Sequence, residues 1–173
     1  MHKFLIVTFL GILFPAIINA GNYDFTIDLG KMQFEWKVDG SNLNIYLKAK
    51  TKGWVGVGFN PTKRMKNANI LIGYVKRGKV SIRDDFGYAQ TGHKSDEKIG
   101  GQNNITKISG SERGGHTELK FTIPLDSGDP KDSLINVSKD ITMMFAFGKS
   151  DNYRLKHKFF KKIKINLGTG KHQ

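Results

Sequence analysis

Apolar residues recur at every second position along much of this chain, and no segment sustains a helical spacing. Successive side chains of an extended strand point to opposite faces, so such alternation predicts strands with one buried face. Met32, Phe34, Trp36 and Val38 alternate with polar neighbours, and Leu43, Ile45, Leu47 and Ala49 do the same after the turn Asp39-Gly40-Ser41-Asn42. That pair reads as a hairpin. Trp54 to Phe59 alternates large residues with Gly56 and Gly58. Ile70 to Val75 and Lys79 to Ile82 flank Lys76-Arg77-Gly78, and Ile105 to Ile108 and Leu119 to Ile123 flank residues 110–115. Ile141 to Phe147 is nearly continuous apolar sequence and reads as a central strand, and Phe159 to Leu167 returns to alternation. About ten short strands with turn signals between them predict an all-β fold, an antiparallel β-sandwich. Two stretches resist strand assignment. Residues 60–69 read as a polar loop holding a lone methionine, and residues 84–104 as a long loop containing Gly, Asp and His. Long loops on a rigid sandwich are where binding concentrates.

Such a domain must hold together by packing alone, because the chain has no cysteine. The same absence excludes disulfides, thiolate zinc sites, iron–sulfur clusters, thiol catalysis and covalently attached c-type haem. A length of 173 residues suits one domain, and 38% apolar residues are too many for a disordered chain.

Residues 1–20 read as a separate object. A short basic start, Met1-His2-Lys3, precedes an apolar run from Phe4 to Ile18, and Asn19-Ala20 leads into polar sequence. This is the layout of a secretory signal peptide with Ala20 as the last residue removed. The expectation is a mature domain of residues 21–173, secreted or periplasmic, with no integral membrane span after signal removal. An uncleaved anchor is the alternative, although the run is short and Pro15 interrupts it.

Several possible chemistries fail on inspection. There is no nucleophile elbow, phosphate-binding loop or His-Glu-x-x-His. Asp84 and Asp85 are adjacent, so in a strand they face opposite ways and do not share acid–base work. Asp126, Asp129 and Asp132 resemble a calcium ladder but lack the Gly and terminal Glu of an EF-hand, and turn chemistry accounts for them. Asn104-Ile105-Thr106 and Asn136-Val137-Ser138 fit a glycosylation sequon. Met32, Met143 and Met144 fall in core strands. Met65 does not: Lys63, Arg64, Lys66 and Asn67 surround it. His157 is placed similarly, within Arg154-Leu155-Lys156-His157-Lys158 at the entrance to the last strand. Taken alone, each is an ordinary loop residue or half of a ligand pair.

The blocks Gly53-Trp54-Val55-Gly56-Val57-Gly58-Phe59-Asn60, Met65, Asn69-Ile70-Leu71-Ile72-Gly73-Tyr74 and Val80-Ser81-Ile82-Arg83-Asp84-Asp85 resemble the central signature of DOMON domains. The similarity continues through residues 93–101, Phe121-Thr122-Ile123-Pro124-Leu125 and Phe145-Ala146-Phe147-Gly148 to His157, covering roughly residues 23–167. The resemblance implies an immunoglobulin-like β-sandwich that binds either haem or sugar. In the haem-binding branch, non-covalent haem b lies between a methionine and a histidine, and the matching positions here are Met65 and His157. A related type uses methionine with lysine, which would bring in Lys156 or Lys158. Aromatic residues expected to wall such a pocket are Trp54, Phe59, Tyr74, Phe86, Phe145 and Phe147, with Tyr88 and Met143 nearby. Lys63, Arg64 and Arg154 are candidates for the haem propionates. His93 is a pocket residue, a rival ligand or an exposed side chain, the last being the expectation.

The resemblance therefore implies an exported b-type cytochrome, a carrier of single electrons and not an enzyme. The alternative it leaves is a sugar-binding module without haem, using Tyr88, Gln90, Asn103 and Asn104. The formal net charge is +13, and basic residues crowd around Met65 and His157. Such a field attracts an acidic redox partner protein. No nucleic-acid reader motif accompanies the charge, so nucleic acid is not expected as a partner.

Overall fold

A computed structural model describes residues 23–173; the expected signal peptide lies outside the described residues. Eleven strands occur among them: β1 (Phe25–Asp28), β2 (Met32–Asp39), β3 (Asn42–Ala49), β4 (Val55–Phe59), β5 (Asn69–Lys76), β6 (Lys79–Ala89), β7 (Gly92–Ser95), β8 (Thr106–Arg113), β9 (His116–Pro124), β10 (Asp140–Phe147) and β11 (Phe159–Asn166). A 3₁₀ turn, Asp96–Lys98, follows β7. The strands form two antiparallel sheets, ordered β1-β2-β3-β9-β8 and β11-β10-β4-β5-β6-β7. Their inner faces pack together as an all-β sandwich, as the alternation predicts. Among the described residues, no helix is long and apolar enough to cross a membrane.

The hairpin read from residues 32–49 forms with Phe34 opposite Leu47 and Trp36 opposite Ile45. Those side chains are fully buried. Phe34 stacks on Trp36 with ring centroids 4.8 Å apart and meets Phe145 of the other sheet at 5.1 Å. The Trp36 indole donates to the Leu167 carbonyl at 2.8 Å, which satisfies a buried polar group and pins the chain after β11 to the five-stranded sheet.

The expected long loop at 84–104 is largely strand. β6 continues to Ala89 and pairs with β7 through a tight turn, leaving a shorter connection after Ser95. The reason is visible in the side chains. At this end of the sandwich, β6 directs Asp84 inward and Asp85 outward, and both carboxylates are buried. Buried acids make a strand look polar, so hydrophobic alternation misses it. The 60–69 loop stands, except that Asn69 already belongs to β5. Lys161 lies on the edge strand β11 opposite Phe145 and is exposed, a charge that discourages pairing with another chain at this edge.

Trp36→Phe removes the donor to the Leu167 carbonyl and leaves that acceptor buried. The expected cost is about 2–4 kcal/mol, the sum of an orphaned carbonyl and a small cavity, read as a lowered urea midpoint with unchanged slope.

Candidate functional site

Strands β4, β5 and β10 of the six-stranded sheet are largely buried on both faces. All five residues of β4 are buried, although only Val55, Val57 and Phe59 face the main core. A second apolar cluster covers the outer face: Trp54, Ala68, Ile70, Ile72 and Met144 are buried, with Met65, Tyr74, Ala146 and Tyr153 packed against them. Two loops of polar composition supply this cover. Met65 comes from the β4–β5 loop and Tyr153 from the β10–β11 loop.

Backbone pairing positions the Met65 loop. It carries the ladder beyond β5, with Asn67 donating to the Gly87 carbonyl at 2.7 Å and Gly87 donating to Ala68 at 2.9 Å. The Met65 amide donates to the Gln90 carbonyl at 3.2 Å. Arg64 and Asn67 take positive φ of 53° and 62°, so the chain turns sharply on both sides of Met65. Gly87 lies directly beneath: a Cβ there would run into the Met65 carbonyl oxygen.

The second loop is fastened near Trp54. Trp54 donates to the Ser150 carbonyl at 3.1 Å, Gly148 donates back to Trp54 at 2.9 Å, and the Thr51 hydroxyl donates to the Gly148 carbonyl at 2.6 Å. Tyr153 then lies against Tyr74 with centroids 5.3 Å apart, and its hydroxyl donates to the Ser81 carbonyl at 3.3 Å. Burial pushes the Tyr153 phenol up to about 12, so it remains a neutral cover. Farther along, His157 is exposed and stacks on Phe160 at 5.3 Å. Phe160 pairs with Ala146, a member of the outer cluster, so His157 meets this face at its β10–β11 edge. What burial His157 has, reinforced by the Lys156 charge, holds its pKa below the ordinary imidazole value and favours the neutral ring.

The structure brings together some of the expected site residues and separates others. Met65, Trp54 and Tyr74 share the outer cluster. Phe59, Phe145 and Phe147 stand in the core between the sheets, as does Met143. Phe86 pairs with Asn69 on the inner side of the sheet, and Lys131 lies over its ring at 5.7 Å. Met144, read from sequence as core packing with Met143, belongs to the outer face instead. Strand alternation separates the two neighbours, and this could have been inferred. Tyr153 had no sequence signal, because it sits alone in a polar loop. His93, expected to be exposed, is half-buried and bound to Asp85. The Asp85 Oδ2 meets both the Arg83 guanidinium and His93 Nδ1 at 2.6 Å. Arg83 also lies over Tyr153, 4.5 Å from the ring centroid. This polar group borders the apolar face and leaves His93 engaged.

Residues 28–148 match the DOMON domain family. This chain belongs to the DOMON family. The DOMON chain is 31% identical to human DBH-like monooxygenase protein 1 over 122 residues, which is 70% of this chain and 19% of that protein. It is 23% identical to MOXD1 homolog 2 of Drosophila melanogaster over 130 residues, 75% of this chain and 17% of that protein. It therefore spans under a fifth of the length of these relatives. Among solved structures it resembles the cytochrome b domain of pyranose dehydrogenase from Coprinopsis cinerea, with TM-score 0.62 and 12% identity over 80% of this chain and 78% of that one. It also resembles the cytochrome domain of Myriococcum thermophilum cellobiose dehydrogenase, with TM-score 0.59 and 15% identity over 84% of this chain and 83% of that one. At these identities the shared property is the fold. A surface hollow of about 300 Å³ in this DOMON domain, lined by residues such as Asp28, Gln33, Lys48 and His116, lies on the five-stranded sheet, away from Met65.

Gly87→Ala places a methyl group against the Met65 carbonyl and should push the loop off the sheet. The expected cost is about 1–3 kcal/mol. Hydrogen exchange should show protection falling at residues 65–68 while β2 and β3 keep theirs.

Proposed function

We propose that the outer face of the six-stranded sheet binds haem b, with Met65 and His157 as axial ligands, and that the domain carries single electrons without turnover of its own. The observation that carries this reading is the placement of Met65. It is a thioether in a basic loop, held by backbone ladder bonds against an apolar face that the main core does not use. His157, on the β10–β11 loop, stacks on Phe160, which pairs with Ala146 of the outer cluster. Family membership and the fold shared with cytochrome b domains support the same reading.

The residues present fit such a group. A macrocycle held without covalent attachment needs an apolar bed, two axial donors and charges for its rim. Ile70, Ile72, Ala146 and Met144 form the bed. Gly56 and Gly58 add no side chains to it, and Met144 leans into the vacant position: a Cβ on Gly58 would sit 2.8 Å from Met144 Cε. The Trp54 Nε1 is a buried donor without a partner, a group that ordinarily finds an acceptor. Met65 and Tyr153 cover the bed from the two loops. A haem held by Met65 and His157 would supply one-electron chemistry.

The chain's own residues then have defined tasks. Met65 offers a soft neutral sulfur, and His157 offers a ring kept neutral by its surroundings. Trp54 and Tyr74 replace the wider aromatic set as the expected walls. Lys63 and Arg64, on the Met65 loop, and Arg154, on the His157 loop, are exposed and can reach propionates at the rim. The exposed Lys66, Lys156, Lys158, Lys162 and Lys164 extend the positive field around the same face. That field favours an acidic redox partner, whose association should weaken as salt rises.

The test is haem reconstitution of the purified protein, followed by a pyridine haemochrome assay and a reduced-minus-oxidised spectrum. The expected result is one haem per chain with a low-spin, six-coordinate spectrum. Met65→Ala or His157→Ala should each shift the spectrum toward high spin. Failure of the folded protein to take up haem would end this reading.

A further inference from the structure

β11 and the loop that leads into it carry charge of one sign. From Arg154 to Gln173 the sequence holds one arginine, six lysines, two histidines and no Asp or Glu. All of these basic side chains are exposed. Among the described residues none of them enters an ion pair. The acids that flank the stretch do not offset it: Asp151 is half-buried, and Asp140 sits at the start of β10, opposite Asn166.

The fold gathers the charges along one sheet edge. β11 is the end strand of its sheet. Phe160, Lys162 and Lys164 pair with Ala146, Met144 and Thr142, so alternation puts them together on the outer face. Lys161 takes the other side of the strand and is exposed as well. The chain then returns along β11. Lys164 and Gln173 exchange backbone bonds of 3.0 Å, and Asn166 donates to the Lys171 carbonyl at 2.8 Å, which brings Lys171 and His172 to the same edge.

Two apolar side chains stand out of this basic field. Leu155 is 54% exposed and Phe160 47% exposed. Leu155 is flanked by Arg154 and Lys156, and Phe160 precedes Lys161 and Lys162. A single exposed apolar residue needs no explanation. Two of them inside an acid-free basic strip make the composition of a surface that rests on anionic lipid, where cations meet the headgroups and apolar tips enter the boundary below them. Other partners fit less well. Protein interfaces favour arginine and are poor in lysine, and six of the seven Lys and Arg residues here are lysine. An acidic polysaccharide matches the charge but has no apolar layer to receive Leu155. A second copy of this strongly basic chain is repelled.

We infer that the exposed edge of β11, with the loop before it, docks the domain on an anionic phospholipid bilayer. Leu155 and Phe160 enter the headgroup layer, and Lys156, Lys158, Lys162 and Lys164 meet lipid phosphates. Two side chains and a charged strip give reversible binding and not a permanent anchor. The inference does not rest on haem. The Met65 loop is fastened to β6, and β5, β4 and β10 lie between that strand and β11. Lys63, Arg64 and Lys66 are therefore left for a soluble partner.

The test is co-sedimentation of residues 21–173 with lipid vesicles. This segment holds both sheets entire and omits the apolar run from Phe4 to Ile18, which would bind lipid by itself. In about 0.1 M salt, phosphatidylcholine vesicles with about 30% phosphatidylglycerol should bind at least about tenfold more tightly than pure phosphatidylcholine, and about 0.5 M salt should remove most of the difference. Lys162→Gln with Lys164→Gln should weaken binding about fivefold for each lysine. Leu155→Ser should weaken it at least about fivefold. Lys31→Gln with Lys50→Gln removes the same charge from exposed positions beside the five-stranded sheet and should leave binding unchanged. These variants alter exposed side chains and should melt with the wild type. Equal binding to neutral vesicles, an equal loss in the Lys31 and Lys50 pair, or full binding by Leu155→Ser would each overturn the inference. Soluble polyglutamate bound as tightly as the vesicles would also overturn it, and would assign the edge to an acidic protein. Neither haem nor Met65 enters this measurement, so its outcome is separate from that of haem reconstitution.

Discussion

The burial of three strands of one sheet on both faces organises this domain. A sandwich ordinarily turns the outer faces of its sheets to water. Here β4, β5 and β10 carry apolar residues on the outer side as well, and that surface must be covered. Met65 and Tyr153 provide the cover from two loops. The loops are held by backbone bonds to Gly87 and Gln90 on one side and to Trp54 on the other. The need to cover apolar surface thus brings two functional candidates to one face. Without a disulfide, packing and these bonds do all the fastening.

The sheet separates two kinds of chemistry by strand alternation. On β6, Asp85 turns outward to Arg83 and His93, where its charge is compensated at the border of the apolar face. Asp84 turns inward to Asp96 and Asp132, where no cation pairs with it among the described residues. Adjacent residues in one strand therefore experience opposite electrostatics. The outer face is apolar with basic margins. The inner end of the sheet is acidic and buried. The charge of the whole chain, strongly positive, predicts neither environment.

Most of the architecture was legible in the sequence because hydrophobic alternation is a local property of a half-buried strand. The hairpin at 32–49 follows its pattern residue for residue, and Ile141 to Phe147 is indeed central, between β4 and β11. The pattern failed where buried residues are polar, which is why β6 beyond Ile82 and β7 read as loop. It also failed to say which face a buried aromatic uses. Phe145 and Trp54 look equally suited to a pocket in sequence, yet one stands between the sheets and the other outside them.

By itself the sequence determined the sandwich, the family and the anomaly of a methionine and a histidine stranded in basic loops, because each depends on residue types and their local spacing. The tertiary structure alone decided that Met65 meets Trp54, Tyr74 and Tyr153, that His93 is engaged by Asp85, and that Asp132 leaves its apparent ladder to join Asp84 and Asp96. Those pairings depend on strand order and sheet face. Both are set by which surfaces pack together across the whole chain, and no local window contains that information.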